Sequence, residues 1–356
     1  MMRPLRCLSI IAILVMASTA MLAAETFRFT STTEYEVGPE FYLKVTNTSG
    51  DITISAGTGT KAVVEVTKEV RAGDRNEAEE LEEQLQAIIE QDGDRLEIDT
   101  RYQRWQDDDP FWQKLFDIRK GSFGSVNYQI ELPAQAKLDL RSVSGDISVQ
   151  GASGDLRIEA TSGDIEIGNH IGECSIKNTS GDIRLRGIEG YVDLSSTSAD
   201  ILLDDVKGDV EFRSTSGDSE IYWVVGNLYI TKTSGDLRIE ECSGDVDINT
   251  TSGDIYVRQE EGALFVSSSS GDVRICSQVR NGDRFEVETI SGDITFEVPA
   301  EIEGEIKLET ISGSIESELV FERSRYGKRK VEGRIGSNGP RLELSSSSGD
   351  ISLLEF

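Results

Sequence analysis

The sequence is poor in the side chains that most enzymes and metal sites require. Of 356 residues, one is a histidine and four are cysteines. We find no Ser-His-Asp or Cys-His set, no zinc-ligand spacing and no phosphate-binding glycine loop. The single histidine, His170, is interpreted as a structural residue in a turn. We therefore predict that the protein is not an enzyme and requires no cofactor or metal.

Basic residues are also scarce. Lysine and arginine number 36 against 65 aspartates and glutamates, which gives a net charge of −29. A surface this acidic repels nucleic acid and anionic lipid headgroups. The charge is compatible with a soluble protein or with cation binding, and it predicts no nucleic-acid partner.

Long hydrophobic runs are absent after the first residues. Residues 1–24 have the pattern of a secretory signal peptide, with Arg3 and Arg6, an apolar run at 8–16 and small residues at 20–24. The apolar run is too short to span a bilayer, and no later segment qualifies. We expect an exported protein that is periplasmic, cell-surface or secreted, with no transmembrane segment in the mature chain.

Cysteine usage gives no sign of a disulfide framework. After removal of the signal peptide, three cysteines remain, Cys174, Cys242 and Cys276. An odd count in an exported chain argues against systematic pairing. Cys174 falls where neighbouring repeats have Ile, Leu or Val, so we predict that it is a small core residue.

What the chain has in abundance is a repeat. The sequence TSGDI occurs at 161–165 and again at 179–183, and glycines recur at the same interval of 18 positions. Ala199 holds the one grid point without glycine. A second set of glycines falls midway, so each unit of 18 contains two halves of nine. A fixed short period is the signature of a solenoid. The repeating glycines are Gly145, Gly163, Gly181, Gly217, Gly235, Gly253 and Gly271, and the midway set is Gly154, Gly172, Gly190, Gly208, Gly226, Gly244 and Gly262.

The residues two and four positions after each grid point predict short strands. From Gly145 to Gly271 these positions are apolar, with Ser219 as the one polar exception. Alternation with period two and a preference for β-branched residues indicate strands that point two side chains inward. We predict an all-β fold, a parallel β-solenoid of 18-residue coils made of two nine-residue half-coils. Because the pattern also fits near both ends, we expect one domain over residues 25–356.

Two segments interrupt the repeat. Residues 74–91 place Leu81, Leu85 and Ile88 at helical spacing, which predicts one amphipathic helix flanking or capping the solenoid. Residues 102–122 form an aromatic loop. We favour packing of this loop against the solenoid, and exposed aromatics that contact a partner are the alternative. The candidate partner surface consists of Trp105, Phe111, Trp112 and Phe116.

The recurring Ser-Gly-Asp has two explanations. Glycine permits a sharp reversal, and Ser or Asp accepts hydrogen bonds from backbone N–H groups of its own turn. Alternatively, the stacked aspartates bind calcium, as in nonapeptide β-rolls, although those place the apolar residue two positions after Asp rather than directly after it. We favour turn formation. The predicted ladder is Asp146, Asp164, Asp182, Asp200, Asp218, Asp236, Asp254 and Asp272.

Three stretches carry a resemblance to a known family. They are VNYQIELPAQAKLDLRSVSGDISV at 126–149, the SGDI repeats, and GPRLELSSSSGDISL at 339–353; an acidic segment followed by DGDRLEI also fits. The chain resembles the bacterial family of exported β-strand-repeat proteins called "putative adhesin", a domain of unknown function. The resemblance implies the solenoid fold over nearly all of the mature chain and supplies no catalytic residues.

These observations predict a non-catalytic, adhesin-like scaffold of the cell envelope that binds an envelope protein or glycan. The first alternative is a calcium-binding β-roll. The second is a polysaccharide-active β-helix enzyme, since such enzymes use aspartates, although their wider coils leave room for a cleft.

Overall fold

We analysed a computed structural model of the chain, which describes residues 25–102, 124–280, 283–321, 323–336 and 339–356. These residues form one short helix, α1 (Arg75–Glu82), and strands that assemble into two long sheets. No helix among them is long and apolar enough to cross a membrane. In chain order, the strands are β1 (Glu25–Glu36), β2 (Tyr42–Ser49), β3 (Ile52–Gly57), β4 (Lys61–Ala72), β5 (Leu85–Asp92), β6 (Arg95–Tyr102), β7 (Gly124–Pro133), β8 (Lys137–Ser144), β9 (Ile147–Gln150), β10 (Leu156–Ser162), β11 (Ile165–Ile171), β12 (Cys174–Ser180), β13 (Ile183–Glu189), β14 (Val192–Ser198), β15 (Ile201–Lys207), β16 (Val210–Ser216), β17 (Ser219–Val225), β18 (Leu228–Lys232), β19 (Leu237–Ser243), β20 (Val246–Thr250), β21 (Ile255–Glu261), β22 (Leu264–Ser270), β23 (Val273–Ser277), β24 (Arg284–Ser291), β25 (Ile294–Val298), β26 (Gly304–Thr310), β27 (Ile315–Ser317), β28 (Arg323–Tyr326), β29 (Lys330–Ile335), β30 (Arg341–Ser348) and β31 (Ile351–Glu355).

Odd-numbered and even-numbered strands of the repeat region separate into the two sheets. Sheet A runs β1-β4-β7-β3-β9-β11-β13-β15-β17-β19-β21-β23-β25-β31-β27. Sheet B runs β28-β29-β26-β30-β24-β22-β20-β18-β16-β14-β12-β10-β8-β2-β6-β5. The neighbours in the middle of each sheet are parallel, and from β8 to β25 the chain alternates between the sheets at every turn. The structure is therefore all-β with two mostly parallel sheets, as a solenoid requires.

The register of the sheets follows the glycine interval. Leu156 of β10 pairs with Cys174 of β12, and Ile165 of β11 pairs with Ile183 of β13. All the inward positions predicted between Gly145 and Gly271 are buried, with exposed fractions of at most 3%. The core is thus a continuous column of Ile, Val and Leu between the sheets. Cys174 is fully buried in it, as predicted.

Strands β2 and β3, close to the N-terminal end of the fold, and β30 and β31, at its C-terminal end, lie inside the sheets rather than at their edges. Strand β2 lies between β6 and β8, and β3 lies between β7 and β9. At the other end, β30 lies between β24 and β26, and β31 between β25 and β27. At one end the edge strands are β1 and β5, which are antiparallel to their neighbours. At the other end they are β28, antiparallel to β29, and β27, parallel to β31.

The helix predicted over residues 74–91 is much shorter than expected. Asp74 caps it by accepting the backbone N–H of Glu77 at 2.9 Å, and the helix ends at Glu82. Residues 85–92 form β5, which pairs with β6, and Leu85 is buried there. The prediction of one helix to residue 91 was wrong because pairing with β6 overrides the local helical spacing. Leu85 and Ile88, three residues apart, lie on opposite faces of the strand.

Candidate functional site: the two edges of the solenoid

The turns from sheet B to sheet A carry the predicted aspartates, and we call this border the aspartate edge. The Oδ1 atom of Asp236 accepts the backbone N–H of Asp254 at 2.9 Å, and Asp218 accepts from Asp236 at 2.9 Å. Each carboxylate therefore bonds to the next coil rather than to its own turn, which corrects the expected geometry. The same bond joins Asp146 to Asp164, Asp164 to Asp182, Asp200 to Asp218, and Asp254 to Asp272.

The ladder continues beyond the eight predicted residues. Asp51 accepts the N–H of Asp146, and Asp272 accepts that of Asp293. It is interrupted between Asp182 and Asp200, where the structure has no such bond. Ala199, which precedes Asp200, lacks the positive φ of the grid glycines. The backbone N–H of Asp200 does not bond to Asp182.

This use of the carboxylates bears on the calcium alternative. One oxygen of most ladder aspartates accepts a backbone N–H, and Oδ2 of Asp182 also accepts from Arg184 at 2.9 Å. Within the described ranges, no group of three or more His, Cys, Asp or Glu side chains is arranged to hold a metal ion. The aspartates therefore form a hydrogen-bonded ladder between coils.

The turns from sheet A back to sheet B form the opposite border, which we call the tryptophan edge. Trp223 lies here with 60% of its surface exposed, next to Val225 at 63%. Tyr222 tilts against the indole, with ring centroids 6.5 Å apart and planes at 50°. Tyr229, just beyond Gly226, is also exposed. Sequence reasoning did not single out this cluster of exposed apolar side chains.

Trp223 also has an unusual backbone. Its φ is +49°, in the left-handed region, where a bulky side chain is strained. The equivalent residues of other coils are types that tolerate this conformation better, among them Asn169 and Gly187. The column, in order, is Gly151, Asn169, Gly187, Asp205, Trp223 and Glu241.

Lys232 and His170 are two polar residues that lie buried in the core. Lys232 is 2% exposed and donates hydrogen bonds to Ser219 Oγ at 2.8 Å and to the Gly217 carbonyl at 2.7 Å. Burial lowers the pKa of Lys232 to about 8. His170 lies within β11 rather than in a turn, fully buried, and burial lowers its pKa below the ordinary value.

The three cysteines in the described part of the chain are free thiols. Cys174 and Cys242 are buried, which raises the pKa of each thiol to about 12. Cys276 is half-buried in a hollow of about 530 Å³ on the outer face of sheet A, which Tyr256, Arg258 and Glu241 also line. Thiols with raised pKa values are poor nucleophiles.

Two predicted features lie outside the described residues. The signal peptide at 1–24 is one. The other is the candidate partner surface of Trp105, Phe111, Trp112 and Phe116, in a segment that leaves β6 after Tyr102 and rejoins the fold at Gly124. Both stay predictions.

Comparison with known proteins places the chain in a family. Two overlapping stretches, residues 43–243 and 219–354, match the family model Toastrack DUF4097. No curated protein matches. Similar solved structures include a "putative cell adhesion protein" from Clostridium sporogenes ATCC 15579, with 9% identity over 93% of this chain and 100% of that chain and a TM-score of 0.19.

Two further solved structures are similar to this chain. A "putative lipid binding protein" from Parabacteroides distasonis ATCC 8503 has 16% identity over 75% of this chain and 94% of that chain, with a TM-score of 0.39. A "putative adhesin" from Bacteroides fragilis NCTC 9343 has 12% identity over 92% and 97%, with a TM-score of 0.27. The family model covers far more than half of the sequence and agrees with the resemblance carried by the SGDI repeats, so the chain belongs to the Toastrack DUF4097 family.

Proposed function

We propose that this protein is a non-catalytic, adhesin-like binding scaffold of the cell envelope that holds its partner at the tryptophan edge. In this proposal the chain is exported, and residues 25–356 form one solenoid domain of 18-residue coils. The observation that carries the proposal is Trp223, a large aromatic side chain that is both strongly exposed and held at a positive φ.

Trp223 destabilises the isolated protein in two ways. A left-handed backbone costs about 1–2 kcal/mol for a residue other than glycine. Exposing an indole also forgoes the stabilisation that burial gives elsewhere in the core. Strained residues of this kind concentrate at binding and switch sites, where the cost is offset by a function. Tryptophan is also among the residues that contribute most to binding at interfaces.

The repeated architecture suits a binding role. Each coil repeats the same backbone, so the side chains on the edges and outer faces vary while the core stays constant. The edge around Trp223, Val225 and Tyr229 is then a local patch on a rigid support. Rigid support lowers the entropy cost of binding.

The test compares capture of envelope components by the mature chain and by a Trp223→Asn variant. Asn occurs at the equivalent left-handed position, Asn169, so this variant keeps the backbone conformation. We expect the wild type to retain one or more specific components that the variant loses, while an Ile171→Asn variant at the same edge, three coils away, retains them. Equal capture by all three proteins would refute the proposal.

Export is tested separately. The full-length chain, expressed in a Gram-negative host, is fractionated, and the N-terminus of the mature product is sequenced. We expect cleavage close to residue 24 and recovery outside the cytoplasm. Recovery of uncleaved chain in the cytoplasm would contradict the envelope assignment without touching the binding edge.

A further inference from the structure

We propose that the tryptophan edge binds a positively charged side chain, the lysine or arginine of a basic protein segment, between the Trp223 indole and the carboxylates of the neighbouring coils. This inference rests on the proposed function, because it names the chemistry of the partner that the same edge would hold.

The first step is the position of the carboxylates along the column. Tyr222 pairs with Asp204 on one side and with Glu240 on the other, and Val224 pairs with Val206 and Cys242. Trp223 therefore lies between Asp205 and Glu241, one coil away in each direction. All three residues share a left-handed backbone, with φ of +56°, +49° and +56°. Because they share this conformation, their side chains leave the edge in a similar direction.

The second step is which of these carboxylates is already neutralised. Glu241 lies 3.5 Å from Arg258, and both side chains are partly exposed. Asp205 is exposed and forms no ion pair with any residue in the described part of the chain. Lys207, the nearest basic residue in sequence, is bonded to Glu189 at 2.9 Å. Asp205 thus forms no ion pair of its own, although its charge also helps to raise the pKa of Lys207. It lies one strand away from Trp223.

The third step is the ring itself. A cation held within about 6 Å of an aromatic centroid is attracted to the face of the ring, and indole gives the strongest attraction. The same outer face already contains one such pair, since the Arg238 guanidinium lies 4.7 Å from the centroid of the Tyr256 ring. The indole of Trp223 attracts cations more strongly than the phenol ring of Tyr256 does. In the described part of the chain, no lysine or arginine lies over the indole.

The surroundings favour a cation over a neutral ligand. Glu220 lies on the same face beside Tyr222, whose hydroxyl donates to it at 3.0 Å. Beyond Glu241, the hollow lined by Tyr256 and Cys276 contains Glu260 and Glu297 together with Arg258 and Arg280, so its charges are mixed. With a net charge of −29, the whole chain also attracts basic partners from a distance. A protein segment with several basic residues fits this field better than a neutral sugar does.

The experiment uses two labelled peptides of one sequence, alternating glycine with either lysine or acetyl-lysine. Acetylation removes the charge and keeps the side chain. Binding to the mature chain is followed by fluorescence anisotropy at 150 mM salt. We expect the lysine peptide to bind and the acetylated peptide not to bind. Trp223→Asn should weaken the lysine peptide about three- to ten-fold, as expected for loss of one cation–π contact.

Two charge variants separate the site from the general acidity of the protein. Asp205→Asn should weaken the lysine peptide several-fold. Glu166→Gln, on the same face of sheet A but away from the edge, makes the same change in net charge and should leave the affinity unchanged. Circular dichroism and melting curves verify that each variant is folded.

The outcomes are distinct. If Trp223→Asn and Glu166→Gln both bind the lysine peptide with the same affinity as the wild type, the peptide binds through overall charge and the inference is wrong. If Trp223→Asn loses its envelope partner but not the lysine peptide, the binding edge stands and the cationic partner falls. If neutral oligosaccharides show the Trp223-dependent binding instead, or if Trp223 mediates only self-association in sedimentation experiments, the occupant is a glycan or a second copy and the inference is overturned.

Discussion

Lys232 Nζ donates a hydrogen bond to Ser219 Oγ at 2.8 Å, inside the core of the solenoid. Ser219 is the one polar residue among the inward positions of the regular repeats, and Lys232 occupies a column that holds Ser214 in the coil before it. The ammonium also donates to the carbonyls of Gly217 and Asp236. The exceptional serine and the exceptional lysine therefore form one polar cluster, because a buried amine needs acceptors.

This cluster predicts a specific pH dependence. Burial holds the pKa of Lys232 at about 8, against 10.5 when it is exposed, although Asp218 and Asp236 oppose the shift. The cost of burying the charge is present in full below pH 8 and disappears as pH rises to 10.5. Relative to Lys232→Met, the wild type should gain about 1–3 kcal/mol of unfolding free energy between pH 7 and pH 10. Urea unfolding at each pH measures this.

The control is an exposed lysine. The carboxylate of Glu189 raises the pKa of Lys207, so that residue stays charged through the same interval. The difference between wild type and Lys207→Met should stay constant from pH 7 to pH 10. If the difference in unfolding free energy between wild type and Lys232→Met were also constant over this interval, burial would not lower the pKa of Lys232.

Glycine on the aspartate edge is required for steric reasons. Gly181 has φ of +105°, and a Cβ there would lie 2.2 Å from the Gly163 carbonyl oxygen. Gly93 also has positive φ, +58°, but a Cβ there meets nothing within 4 Å. Gly93→Ala should cost about 1 kcal/mol, the backbone strain alone, and Gly181→Ala more than about 3 kcal/mol. Thermal unfolding of both variants tests the difference, and equal losses would show that the coils separate to admit the methyl group.

The inward side chains could be predicted from sequence because each strand shows its own period of two. Ile165 was placed in the core by this alternation, and Cys174 by the apolar residues that neighbouring repeats have at the same position. The order of the coils could not be predicted in this way. Any coil with the same inward pattern is a suitable neighbour, so nothing local indicates that β2 lies between β6 and β8.

The candidate sites, too, could be predicted from the sequence only in part. An aspartate after glycine indicates a turn, but the donor of its hydrogen bond is in the next coil and is visible only once the coils are stacked. The sequence does distinguish Trp223 from the equivalent residues of earlier coils. It stands where earlier coils have Asn169 and Gly187, and a bulky residue in a column of turn formers is an anomaly of sequence alone.

Relief of strain at Trp223 should stabilise the isolated protein. Asn tolerates the left-handed backbone better than Trp, and the exposed indole has limited packing to lose, mainly against Tyr222. We expect Trp223→Asn to raise the unfolding free energy by about 0.5–1 kcal/mol. Calorimetry on both proteins measures the change. A loss of stability would mean that the indole packs on the edge as a structural element, which would weaken the binding proposal as well.

A second ladder of the same kind shows that asparagine can replace aspartate between coils. On the tryptophan edge, a shorter ladder of the same kind includes Asn227, whose Oδ1 accepts the N–H of Asp245 at 3.0 Å, while the N–H of Asn227 donates to Asp209 at 2.8 Å. An amide oxygen therefore performs the same role as a carboxylate between coils. The charge is not required for the bond.

Substitutions at Asp236 separate a hydrogen-bonded ladder from a calcium site. Asp236→Asn keeps the acceptor for the N–H of Asp254 and removes one charge from a row of carboxylates, so its stability should equal or slightly exceed that of the wild type. Asp236→Ala removes the acceptor and should cost about 1 kcal/mol, the usual net value of one hydrogen bond. Melting curves of the three proteins, with and without EDTA, make the measurement. If calcium held the carboxylates together, Asn would destabilise as much as Ala, and EDTA would lower the melting temperature of the wild type alone. We expect EDTA to change none of the three, because the ladder oxygens are already bonded to backbone N–H groups.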